Sequence, residues 1–176
     1  MYISDYAINA VGALYKEGIV SGTGSGQPKG IANAATWGDA NSVTFAAAKP
    51  TADELMQLIG LLPSRHARAA KFVMNRKTFW ANVMPVRDDK KMPIVAGEGA
   101  GNYSIFGYPV LLSDFVPVGE MYFGNLKMVV ANLASDIKVD SSEASGFAYN
   151  AIDYRGTAIF DCDIADAEAF VKGANA

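Results

Sequence analysis

The chain has 176 residues, 51% of them hydrophobic and 19% charged, which is enough to bury one core and suits one domain with an appendage better than two full domains. Its net charge of −3, with no Lys/Arg cluster longer than Lys90-Lys91, excludes avid nucleic-acid binding. One cysteine and one histidine, Cys162 and His66, exclude an internal disulfide and a Cys/His zinc site; no apolar run reaches membrane-span length, so the expected chain is soluble and intracellular.

Residues 2–19 read as a helix in which Tyr2, Tyr6, Ile8, Val11, Leu14, Tyr15 and Ile19 cover most of the circumference, so burial on more than one side is expected. Gly18 and Gly22 stop it. Next comes Ser21–Asn33, SGTGSGQPKGIAN, where Gly22, Gly24, Gly26 and Gly30 demand backbone shapes that residues with a Cβ mostly refuse. Two readings of this stretch compete: a phosphate cradle, or a tight loop that carries the chain off the helix and against a neighbouring surface.

A turn at Gly38–Asn41 precedes a short strand at Val43–Ala46. Thr51-Ala52-Asp53-Glu54 is a capping box, and Leu55, Leu58, Ile59 and Leu62 follow at helical spacing until Pro63. Arg65–Arg68 reads as a polar connection and Lys71–Met74 as a strand. Asn75 caps a second helix through Phe79, Trp80 and Val83 that ends at Pro85. Arg87–Asn102 is polar and glycine-rich, long for an idle connection and therefore expected to be a functional or mobile loop.

Short β-prone runs follow at Pro109–Leu112, Met121–Phe123, Met128–Leu133 and Ile137–Val139. Phe147–Phe160 is longer and apolar on both alternating sets, as a strand between two layers would be. Asp161–Glu168 is an acidic turn. Pattern alone leaves Ala169–Lys172 open between an edge strand and a short helix. Helices interleaved with strands predict an α+β fold with helices packed on a sheet.

Chemistry is hard to assemble from these residues. A phosphate loop needs Lys followed by Ser or Thr at a helix N-terminus, whereas Lys29 precedes Gly30, Pro28 removes an amide, and the stretch follows a helix rather than a strand. His66, between arginines with no acidic residue near in sequence, reads as a solvated loop histidine. Asp161, Asp163, Asp166 and Glu168 lack calcium-loop spacing, and Cys162 among them should have a raised rather than a lowered pKa. No catalytic residue, cofactor or metal is expected.

An ordered series of segments carries a resemblance: SGTGSGQPKGIAN at 21–33, KFVMNRKTFWANVM at 71–84, IFGYPVLLSDFVP at 105–117, MYFGNLKMVVA at 121–131 and FAYNAIDYRGTAIFDCDIADAEAFVKG at 147–173. In this order, across nearly the whole chain, they resemble the C-terminal part of tailed-phage major capsid proteins, whose fold is named after the phage Hong Kong 97. The resemblance implies an axial domain (50–140 and 169–176) and a partial peripheral domain (1–49 and 141–168). Residues 1–19 would end a long spine helix, 147–160 would be the long peripheral strand, and 169–172 a strand returning to the axial sheet. The arm, extended loop and most of the spine helix would precede residue 1, so Met1 is read as an internal start, a trimmed end or a truncated prophage gene.

By the same resemblance, Gly22, Thr23, Gly24, Ser25, Gly26, Gln27, Pro28, Lys29 and Gly30 form the loop that receives a neighbouring subunit. Thr23 stands where the family commonly has an acidic residue, which puts a charge-assisted contact there in question. Asp88, Asp89, Lys90, Lys91, Gly97, Gly99 and Gly101 would belong to an inward loop near the capsomer axis. The implied function is a structural subunit of the virion capsid. It would assemble with itself into hexamers and pentamers in the host cytoplasm, with scaffold or portal proteins as further partners. DNA would be enclosed without sequence-specific binding, and neither membrane nor small molecule is involved. The alternatives are an encapsulin-like compartment shell and, from another class, a small nucleotide-binding enzyme using residues 22–30.

Overall fold

In a computed structural model, residues 2–97, 101–144, 149 and 152–175 are described. Gly99, Ala176, residues 147, 148, 150 and 151 of the expected long strand, and the Tyr2 side chain lie outside that set. Alternation along β2 (Ala70–Met74) sets the architecture, because this strand is buried on both faces. Phe72 and Met74 join one apolar cluster while Val73 joins another.

β2 lies at the middle of a seven-stranded sheet ordered β1-β9-β6-β2-β5-β4-β3. The other members are β1 (Ser42–Phe45), β3 (Val95–Gly97), β4 (Tyr103–Ile105), β5 (Tyr108–Leu112), β6 (Glu120–Asn125) and β9 (Phe170–Asn175). β1–β9 and β2–β5 run parallel, and the remaining pairs antiparallel.

Helix α2 (Ala52–Leu61) begins at the expected capping box: the Thr51 hydroxyl accepts from the Glu54 amide, and the Glu54 carboxylate accepts from the Thr51 amide. Leu55 and Leu58, one turn apart, then pack on the face that carries Phe72 and Met74. Asn75 caps α4 (Arg76–Thr78), accepting from the Lys77 amide. The helix continues as a π-turn, Phe79–Val83, which buries Phe79 and Val83 in the same cluster. The opposite face packs Val73, Tyr122 and Phe170 against Ile31, Ala34 and Val116.

The second unit is a two-stranded ribbon of β7 (Val129–Ser142) and β8 (Asp153–Ile164), with α1 (Tyr2–Ser21) laid along it. Tyr15 of α1 stacks on Phe160 with ring centroids 4.6 Å apart. Among the described side chains of α1, packing is confined to one side: Tyr6 and Leu14 are 77% and 63% exposed, contrary to the expected burial on several sides.

Other expectations change for physical reasons. The runs expected at Met128–Leu133 and Ile137–Val139 belong, from Val129 on, to one strand, interrupted by register shifts between Leu133 and Lys138. β8 is not sandwiched: α1 covers one face, and Ile159 on the other is 62% exposed. The acidic turn is shorter than expected, because Asp161–Ile164 are strand. Part of the Arg87–Asn102 loop is ordered as β3, which pairs with β4. Of Ala169–Lys172, Ala169 ends a 3₁₀ turn and Phe170–Lys172 are strand, inside the sheet rather than at its edge, with β1 and β6 on either side. Sheet membership also departs from the expected divisions at 49/50 and 140/141: Ser42–Phe45 pairs in the large sheet, and 129–140 pairs in the ribbon.

Candidate functional site, a glycine hairpin

Helix α1 ends when the Gly22 amide donates to the Gly18 carbonyl at 3.1 Å, and the chain doubles back through a bridge between Thr23 and Lys29. The Gly24 amide donates to Pro28 O at 3.2 Å and the Gly30 amide to Gly22 O at 2.9 Å, closing a hairpin. Its base requires glycine for lack of space. A Cβ at Gly22 would stand 2.1 Å from Pro28 O, and one at Gly30 2.7 Å from Gly22 N. At the tip, Gly24 and Gly26 have φ of +77° and +69°.

Three anchors hold the base. The Lys29 amide donates to Cys162 O at 2.9 Å, the Cys162 thiol lies 3.4 Å from Lys29 O, and Asn33 Nδ2 donates to Gly22 O at 2.9 Å. The Lys29–Asp163 pair, 3.9 Å apart and well exposed, adds at most a small contribution. Burial pushes the Cys162 thiol up, and the Asp161 and Asp163 carboxylates push it further, as the acidic neighbourhood predicted. The buried thiol packs against the base of the hairpin. Thr23, Gly24, Ser25, Gly26 and Gln27 project into solvent from this fixed base.

The base of this hairpin offers no phosphate cradle. The amides of Gly22, Gly24, Lys29 and Gly30 already donate to carbonyls within the protein, and Pro28 has none. The segment that follows is a single 3₁₀ turn, Ile31–Asn33, too short to offer an array of N-terminal amides. What the arrangement does provide is a stiff bracket joining the end of α1 to β8, with a polar tip turned outward.

The second set of expected site residues lies elsewhere, beside the β3 edge of the large sheet. Asp88 organises a tight turn in which its Oδ1 accepts from the amides of Lys90 at 2.9 Å and Met92 at 2.7 Å. Asp89, Lys90 and Lys91 are exposed around it, Gly97 ends β3 and Gly101 lies just before β4. The structure therefore separates the two candidate regions between the ribbon and the far edge of the large sheet.

Two polar groupings escaped the sequence. His66 is buried, within the helical turn α3 (Ser64–Ala67) rather than a solvated connection, and its Nε2 lies 3.1 Å from Asp166 Oδ2. Asp166 is a hundred positions away, so proximity in sequence could not reveal it. On the sheet, Lys172 Nζ lies 2.8 Å from Glu120 Oε1, and the Tyr122 hydroxyl donates to the same carboxylate. The i, i+2 spacing of Glu120 and Tyr122 places both on one strand face, but their lysine comes from β9. Burial, and then the bond to Glu120, push the Tyr122 phenol far up. Among the described residues, no group of His, Cys, Asp and Glu could hold a metal ion.

Residues 1–175 match the model of the phage capsid family. The chain belongs to that family. A search of curated protein sequences found no match. Among solved structures, the fold is similar to the capsid of an empty GTA particle computed with C5 symmetry, at a TM-score of 0.78 and 21% identity over 99% of this chain and 65% of that one. It is also similar to the Gordonia phage Cozz structure (TM-score 0.67, 16% identity, 99% and 64%). The holo-SrpI encapsulin of Synechococcus elongatus PCC 7942 shares it as well (0.68, 16%, 97% and 63%). The chain thus spans a little under two thirds of each of these proteins. The capsid fold predicted from the ordered segments is the fold observed, with a central sheet flanked by helices.

Proposed function

We propose that this protein is a major capsid subunit, a non-catalytic building block that assembles with itself into hexamers and pentamers of an icosahedral shell around DNA. In this reading the large sheet with α2 and α4 is the axial part, and α1 with the ribbon is the peripheral part. Residues 22–30 are the joint on which a neighbouring subunit docks. The observation that carries the reading is the hairpin itself. Gly22 and Gly30 close its base, which Lys29 fastens to Cys162 of β8, while Thr23–Gln27 are left exposed. Such preorganisation lowers the ordering cost of docking. With Thr23 at the joint, the contact rests on hydrogen bonding and shape rather than on a carboxylate. Slight acidity suits a shell that encloses DNA without gripping it. Assembly in the host cytoplasm and incorporation into the virion complete the proposal.

The test is to express the intact gene product with and without Ser25→Trp and to image it by negative-stain microscopy. Closed shells from the parent and unassembled, folded subunits from the variant are expected, since the Ser25 side chain is exposed. Shells from both would remove the joint, and unassembled subunits from both would remove the capsid reading. The likeness to an encapsulin favours one further reading, a protein-filled compartment. Particles purified from induced cells that contain protein cargo and no DNA would select it.

A further inference from the structure

The His66 imidazole is placed between two groups that make opposite demands on one nitrogen. Its Nε2 lies 3.0 Å from Arg65 Nε, which can only donate, and 3.1 Å from Asp166 Oδ2, which as a carboxylate can only accept. Carrying a lone pair, Nε2 accepts from Arg65 and faces the carboxylate without a proton between them. Carrying a proton, it donates to Asp166 and turns that proton toward the Arg65 N–H. The ring cannot satisfy both neighbours, and it is only 7% exposed, so water does not readily relieve the conflict.

The cluster occupies the crossing from β8 of the ribbon to β9 of the large sheet; a second crossing, Leu126–Met128, joins β6 to β7. β8 ends at Ile164 and β9 starts at Phe170. Between them, Asp166 Oδ1 accepts from the Glu168 amide at 3.0 Å and closes the 3₁₀ turn Ala167–Ala169. Arg65 Nη2 donates to both Asp166, at 3.2 Å, and Glu168. The charged groups facing the ring are thus Arg65 on its own helix and Asp166 and Glu168 on the crossing. β6, also packed against α3, has one charged residue, Glu120, already engaged by Lys172 and Tyr122.

We propose that Arg65, His66, Asp166 and Glu168 form a proton-operated latch on the β8–β9 crossing between the ribbon and the large sheet. With His66 neutral, its proton sits on Nδ1 and the guanidinium does the fastening, with Nε on the ring and Nη2 on the two carboxylates. A proton taken from solvent onto Nε2 gives the ring its own charge-assisted bond to Asp166 and expels Arg65 Nε, whose charge then stands beside an imidazolium. The crossing is held in both states, by Arg65 in the first and by His66 in the second. The latch does not depend on the shell reading.

His66 is the only histidine of the chain, so its imidazole nitrogen signals are unambiguous in a ¹⁵N NMR titration from about pH 8 to about pH 5. At the upper end we expect the Nδ1–H tautomer and a slowly exchanging Arg65 Nε–H. On acidification the Arg65 signal is lost as Nε2 gains its proton, and the Glu168 and Ala169 amides shift with the same midpoint. In Asp166→Asn the Arg65–His66 bond persists at high pH, but those amides no longer follow the imidazole. In His66→Gln their pH dependence over this range disappears; should that variant not fold, the half-exposed Asp166→Asn carries the test. An Nε2–H tautomer at high pH, amides indifferent to the titration in the parent, or amides that still follow it in Asp166→Asn would each overturn the latch.

Discussion

Gly22→Ala tests whether the base of the glycine hairpin belongs to the fold rather than to the docking surface. The added Cβ would lie 2.1 Å from Pro28 O and 2.5 Å from Gly18 O. Both are backbone atoms, so no side chain can turn aside and the hairpin has to open. Opening it loses the Gly22→Gly18 and Gly30→Gly22 hydrogen bonds, about 1 kcal/mol each, and adds about 1–3 kcal/mol of overpacking strain. The expected loss is about 3–5 kcal/mol. For a chain of this length that lowers Tm by about 6–20 °C, at about 2–4 °C per kcal/mol. Urea denaturation followed by the fluorescence of Trp37 and Trp80 measures it, with Gln27→Ala, exposed at the tip, expected within about 0.5 kcal/mol of the parent. A Gly22→Ala protein within about 1 kcal/mol of the parent would refute the steric argument.

Further outcomes are expected at three other places. Thr51→Ala removes a helix cap and should cost about 1 kcal/mol near neutral pH, read from urea midpoints. The Thr51 amide, foremost among its hydrogen-bond donors, holds the Glu54 carboxyl below the usual range. The stabilisation from this carboxylate is therefore full above its ordinary pKa and lost as pH falls through the depressed value, so the parent and Glu54→Gln should converge in strongly acidic solution. The Tyr122 phenol is raised, so the unfolded chain ionises first and stability falls as pH climbs above about 10. In an absorbance titration Tyr122 should stay silent above about pH 10 in the folded protein and ionise once the chain is unfolded. Phe72→Ala, which empties a fully buried site in the centre of the sheet, should cost about 3–5 kcal/mol by the same urea assay.

Much of the fold was legible because the signals were local. A capping box, an Asn cap, proline stops and apolar spacing located α2, β2 and α4 within a residue or two, since each depends on contacts within one turn or one strand. Pattern failed where the deciding partner lay elsewhere. The alternating apolar residues of β8 look like a buried strand, yet a two-stranded ribbon has only α1 to cover one of its faces. The interruption of β7 near Ser135 reads as a gap between two strands, whereas pairing with β8 carries the chain through it as irregularities of register. At the candidate site the split is sharper. Lys29-Gly30 and Pro28 were enough to argue against a phosphate loop, but only the folded chain shows that the amides of Gly22, Gly24, Lys29 and Gly30 are taken by the carbonyls of Gly18, Pro28, Cys162 and Gly22.

From the sequence alone came the elements, the family resemblance carried by the order of its segments, and the stretch 21–33 as the place where backbone freedom is concentrated, because those properties reside in neighbouring residues. Tertiary structure alone decided that Gly22 and Gly30 fasten the hairpin while Thr23–Gln27 are offered to solvent, that Glu120 is held by a lysine from β9, and that the solitary His66 is caught between Arg65 and Asp166. Each of these depends on atoms brought within hydrogen-bonding distance by the path of the chain, and a one-dimensional pattern has no record of such distances.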